Sequence, residues 1–150
     1  MGVERLRSFL RRHRRIALDT SIFIYHLEAH PKYVTYTDPI FSDLQQSRFQ
    51  AITSTITLTE LLVLPYRAGD EARANDFYTL LSTYPNLDWV APNLEIADLA
   101  ARIRAVHRLR TPDALQVATA VHSRATGLIT NDAVFERVEG IQTLVLDRLS

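Results

Sequence analysis

The chain has 150 residues, 47% of them hydrophobic, which is enough for one domain with a real core. It has no cysteine, and this excludes disulfides, a thiolate nucleophile and Cys-ligated zinc. Its net charge of zero conceals an asymmetry: residues 1–15 hold six arginines (5, 7, 11, 12, 14 and 15) against Glu4 alone, and the rest carry 11 basic and 16 acidic residues.

Residues 1–14 therefore read as a basic N-terminal arm, either a contact for a polyanion or a solvated leader, and 15–150 as a single domain. No run approaches the roughly 18 apolar residues of a membrane span. The first residues lack the apolar stretch of a secretory signal, so a cytoplasmic protein without membrane contact is expected.

Residues 16–18 read as a short buried strand, and 22–27 begin a helix that Pro31 should end. Residues 32–38 read as loop. Pro39 should open the next helix, with Asp38 as its cap and Ile40, Phe41, Leu44 and Phe49 facing inward. A second strand is expected over 51–55, followed by helix through TLTELLVL up to Pro65. Gly69-Asp70 opens another helix, in which Phe77, Leu80, Leu81 and Tyr84 recur at helical spacing. Residues 87–90 read as the third strand. Helix follows over 94–107, striped by Ile96, Leu99, Ala100, Ile103 and Val106, and over 112–124, striped by Leu115, Ala118 and His122. GLIT (127–130) and TLVL (143–146) complete about five strands. Strands alternating with helices predict an α/β fold with a central parallel sheet covered on both faces.

Four acids sit at comparable places in this pattern. Asp19 ends the first strand in ALDTS, Glu60 lies early in the helix after strand two, Asp113 lies just inside a helix start in RTPDALQVATA, and Asp132 follows strand four in GLITND. In a parallel sheet each strand-to-helix transition falls at the carboxyl edge. Asp19, Glu60 and Asp132 should therefore meet there, joined by Asp113 if its helix starts at that edge. Each acid has a capping alternative. Asp19 can cap the helix that follows, Thr57 and Glu60 fit a capping box, Thr111-Pro112-Asp113 fits a helix start, and Asn131-Asp132 fits a turn. Caps, however, do not require acids at one edge, where like charges repel. A hard divalent cation, Mg²⁺ or Mn²⁺, would account for the whole set through oxygen ligands. Thr20, Ser21, Thr130 and Asn131 are then candidates for orienting ligands, water or phosphate.

Other chemistries lack their signatures. There is no GxxxxGK[ST] loop, no GxGxxG fingerprint, no GxSxG elbow and no HExxH pair.

The stretches ALDTSIFIYHLEAHPKY, TSTITLTELLVLPYRAGD, RTPDALQVATA and GLITNDAVF resemble the PIN-domain family, in particular its VapC-type ribonuclease toxins, in the family's order over about residues 15–147. The resemblance implies a three-layer α/β/α fold and a metal-dependent endoribonuclease that hydrolyses RNA with a metal-activated water. It places the family's four acids on Asp19, Glu60, Asp113 and Asp132, its hydroxyl beside the first acid on Ser21, and its strand-four threonine on Thr130. It also implies a small antitoxin partner and a homodimer. In such an enzyme Arg108 and Arg110, just before the site helix, are candidates for gripping substrate phosphates. A non-catalytic PIN-like binding or regulatory module is the alternative, and the intact acid set counts against it.

Overall fold

A computed structural model describes all 150 residues. Five short strands form one parallel sheet in the order β3-β2-β1-β4-β5: β1 (Arg15–Leu18), β2 (Gln50–Ser54), β3 (Leu87–Val90), β4 (Gly127–Thr130) and β5 (Gln142–Val145). Seven helices cover it, giving the three-layer α/β/α architecture: α1 (Gly2–Arg12), α2 (Thr20–Leu27), α3 (Val34–Gln45), α4 (Thr55–Arg67), α5 (Glu71–Ser82), α6 (Leu94–His107) and α7 (Thr111–His122). Two 3-10 turns follow β4 and β5, at Ala133–Arg137 and Leu146–Arg148.

The central strands carry apolar runs, Ile16–Leu18, Ala51–Ile52 and Leu128–Ile129, because both faces are buried. Side chains alternate between the faces. Ile16, Leu18, Ala51 and Ile129 join the larger core cluster with residues of α1 to α5, whereas Ala17, Ile52 and Leu128 join the second cluster with α6 and α7. The chain moves outward from β1 to β2 and β3, then crosses to β4 on the other side of β1. That reversal leaves a crevice above β1 and β4 at the carboxyl edge, where open α/β sheets bind ligands.

The expectation of a basic arm at residues 1–14 needs correction. Residues 2–12 form α1, and its Leu6, Phe9 and Leu10 lie in the larger core cluster. Their spacing at i, i+3 and i+4 builds one apolar stripe, and the arginines occupy the rest of the surface. The helix runs antiparallel to the strands. Gly2 backs onto the Leu149 carbonyl beyond β5, Arg5 donates to the Arg148 carbonyl, and Phe9 and His13 close over Gly127 at the start of β4. Phe9 and His13 stand so near Gly127 that a Cβ there would approach both rings within about 3 Å. His13 fixes the junction, with Nδ1 2.8 Å from Thr126 Oγ1 and Nε2 2.8 Å from Gln142 Oε1.

Two proline boundaries also shift. Helix α3 starts at Val34, and Pro39 lies inside it; 34–38 are helix and not loop. Tertiary packing overrides the proline signal here. Tyr33 stacks on Tyr25 at 4.2 Å, and buried Thr37 pairs with His26 Nδ1 at 3.2 Å, which holds the turns before Pro39 in place. Helix α4 likewise continues past buried Pro65 to Arg67. Within the expected stripes Leu80, Val106 and His122 face outward, and Ala74 carries inner contact of α5 beside Leu81.

Candidate active site

Asp19 follows β1 directly. It stands at the cap position of α2, yet its side chain makes no capping bond. Its Oδ2 accepts from Thr130 Oγ1 at 2.8 Å, and Ser21 Oγ stands 3.5 Å away. Thr130, buried at the end of β4, also accepts from the Asp132 backbone N–H at 3.1 Å, so one hydroxyl ties two of the acidic positions together. Asp132 does act as a cap: its Oδ1 accepts from Val134 N–H at 3.0 Å. The capping box proposed for Glu60 is excluded, because α4 begins at Thr55 with Ser54 as cap and Glu60 lies a turn further in. Glu60 Oε1 instead accepts from Thr20 Oγ1 at 2.8 Å. Asp113 sits in the first turn of α7, whose cap position is Arg110 and not Thr111. Arg110 Nε lies 3.4 Å from Asp113 Oδ2.

Together Asp19, Glu60, Asp113 and Asp132 line a single open cleft of about 400 Å³ with Thr20, Ser21 and Asn131. Thr130 lies beneath its floor. Arg110 is the only cationic side chain in the lining. Arg108 stands elsewhere: it ends α6 in the left-handed conformation, φ 56°, and faces a different surface beside Arg104 and Leu109. That turn carries its side chain away from the cleft. Tyr25, which sequence reasoning missed, also lines the cleft, and its hydroxyl accepts from Asn131 Nδ2 at 3.1 Å. Its signal was faint, since an aromatic in a helix reads first as core.

The electrostatics are strained. Burial pushes the Asp19 carboxyl up to about 6, against the lowering bonds from Thr130 and the Thr20 backbone, with the charges of Asp113 and Glu60 adding to the rise. Burial also raises Asp113; Arg110 opposes this and the charge of Asp132 reinforces it. Oxygen donors that repel one another in a wet cleft suit a hard cation in chemistry. No three acids or histidines are gathered closely enough to form a ready cage. Mg²⁺ in particular is held by one or two carboxylates and keeps several waters, so the donor set fits it without such a cage.

The fold and the cleft define an α/β protein with an acidic pocket at the switch point of its sheet. The chain belongs to the PIN domain family, whose profile matches residues 16–141. Helix α1 lies outside that match. Among solved structures the chain is similar to VapBC-1 from nontypeable Haemophilus influenzae, with a TM-score of 0.68, 21% identity, and coverage of 89% of this chain and 98% of that one. It is similar to DNA-bound VapBC from Salmonella typhimurium, with a TM-score of 0.67, 20% identity, and coverage of 88% and 98%. It also resembles FitAcB from Neisseria gonorrhoeae, with a TM-score of 0.63, 18% identity, and coverage of 87% and 97%. At these identities the likeness concerns the fold. No curated protein matches the chain.

Proposed function

We propose that the chain is a divalent-metal-dependent endoribonuclease and the toxin of a toxin–antitoxin pair. The observation that carries this reading is the convergence of Asp19, Glu60, Asp113 and Asp132, from four separate segments, on one cleft with a single cationic side chain. A bound Mg²⁺ or Mn²⁺ would supply Lewis-acid polarisation of a phosphate oxygen and a lowered pKa for water. The chain supplies the rest. Asp19 and Glu60 present carboxylate oxygens oriented by Thr130 and Thr20, Asp113 and Asp132 extend the acidic rim, and Arg110 offers a guanidinium to a flanking phosphate.

Several solved relatives are toxin–antitoxin complexes, one from Klebsiella pneumoniae among them. An apolar groove leads away from Glu60 between α2 and the α4–α5 hairpin, lined by Ile24, Leu27, Leu61, Leu64, Pro65 and Phe77, and would seat an apolar segment of an antitoxin. Exposed Val63, Leu64, Tyr66, Tyr78 and Leu80 on the same hairpin give a second copy of the chain a surface to pack on.

Cleavage of RNA should require Mg²⁺ or Mn²⁺, stop with EDTA and leave 5′-phosphate ends. Asp113→Asn should abolish cleavage while leaving the melting temperature unchanged or higher, since it removes a repelling charge. Metal-independent cleavage that leaves 2′,3′-cyclic phosphates would refute the mechanism, because that route uses the ribose hydroxyl as nucleophile.

A further inference from the structure

A buried chain of hydroxyls and one amide crosses the carboxyl ends of β1 and β2. Thr53 Oγ1 donates to the Leu18 carbonyl at 2.9 Å and lies 2.8 Å from Thr57 Oγ1. Thr57 Oγ1 is 3.1 Å from Thr20 Oγ1, which donates to Glu60 Oε1 at 2.8 Å. Gln116 Nε2, reaching in from α7 on the opposite face of the sheet, is 2.7 Å from Thr57 Oγ1 and 3.4 Å from Thr20 Oγ1. Thr53, Thr57 and Gln116 are 1%, 0% and 5% exposed, so water cannot stand in for their partners, and Thr20, at 7%, is where the chain reaches the cleft.

Counting protons fixes the direction of this chain. Each threonine hydroxyl has one proton to give. That of Thr53 goes to a carbonyl and that of Thr20 to a carboxylate, both of which only accept. The 2.8 Å contact between Thr53 and Thr57 therefore needs the Thr57 proton. Thr57 must then accept from Gln116, whose amide has two N–H donors for Thr57 and Thr20. Reversing the amide would set its oxygen and Thr53 in competition for one proton, and would leave a contact of 2.7 or 2.8 Å with none. Only the 3.1 Å contact between Thr57 and Thr20 goes without a proton in the first arrangement.

We infer that Gln116 is a positioning residue for Glu60, acting through Thr57 and Thr20. This rests on the reading of Glu60 as a metal ligand. Glu60 is exposed, and Thr20 is the only group its carboxylate bonds. The donors of Gln116 keep the Thr20 proton aimed at Glu60 and so hold one carboxylate rotamer before any ion arrives. Groups that orient a ligand from outside the coordination sphere commonly contribute about 10–100-fold in metal affinity.

The test is a double-mutant cycle on Mn²⁺ binding to the full chain without RNA, followed by electron paramagnetic resonance below each variant's melting temperature. Gln116→Met keeps the side-chain length and removes both donors. It should weaken Mn²⁺ binding about 10-fold or more, and should add no loss in a Glu60→Gln background. Thr57→Val should behave alike, and carries the cycle if Gln116→Met does not fold. Cleavage by either variant should recover at high Mn²⁺ with KM for RNA unchanged. A lower melting temperature with unchanged Mn²⁺ affinity, or an equal loss in both backgrounds, would make Gln116 a core residue only and overturn the inference. Wild-type protein that takes up no Mn²⁺ would overturn the metal-site reading as well.

Discussion

Asp19 is a carboxylate held where its charge is unwelcome. Its ordinary value near 3.8 rises to about 6, chiefly through burial. In the unfolded chain it ionises first, so between about pH 4 and 6 the native state holds the extra proton. Stability contributed by this residue is therefore present at pH 4 and declines as pH rises through 6, by about 3 kcal/mol in all. Asp19→Asn should abolish that decline. In EDTA, its melting temperature should exceed that of wild type at pH 7 and converge with it near pH 4. Mn²⁺ should lift wild type at pH 7 and leave the variant unmoved. A gap that is constant from pH 4 to 7 would contradict this account.

At the scale of elements, α1 shows what charge counting conceals. Six arginines drew attention to the segment, yet Leu6, Phe9 and Leu10 decide its place. Phe9→Ala should cost about 3–5 kcal/mol, measured by urea unfolding, as for any fully buried phenylalanine. A loose arm would lose almost nothing. The strands and the four acidic positions were legible because short apolar runs and strand-end acids are local signals. Pro39 and Pro65 misled for the opposite reason: a proline marks a boundary only where packing does not outweigh it, and the Tyr25–Tyr33 stack does outweigh it at α3. Gln116 was illegible for a related reason. It lies in the apolar run DALQVATA, and its partners Thr57 and Thr20 stand 59 and 96 positions away. Arg108 was placed by sequence proximity to Asp113, which a left-handed residue between two helices undoes.

The whole molecule carries its charge unevenly, acidic at the cleft and basic along α1. No arginine among the first fifteen residues pairs with an acid. Since α1 starts at the carboxyl edge and runs toward the amino edge, an RNA held in the cleft, on the function proposed above, would reach Arg11, Arg12 and Arg14 only by following the length of this helix. Replacing Arg7, Arg11, Arg12 and Arg14 with glutamine should weaken RNA binding and flatten its log–log salt dependence by up to roughly 0.7 per lost contact. Cleavage at saturating RNA should stay the same. An unaltered salt slope would assign these arginines to solubility alone.

The position of α1 also sets an order of events at the ribosome. Helix α1 is made well before β4 and β5, which it covers, and Arg5 meets Arg148 across 143 positions of chain. At about 5–20 residues per second, the apolar stripe of Leu6, Phe9 and Leu10 waits roughly 7–30 s for β4 and β5 to emerge. The central strand β1 waits for β4 in the same way. Thr130, which orients Asp19, arrives at the end of that interval. A nascent chain thus cannot assemble its acidic cleft until β4 and Asp132 have been made, and a helper that shields the waiting helix would act within that time.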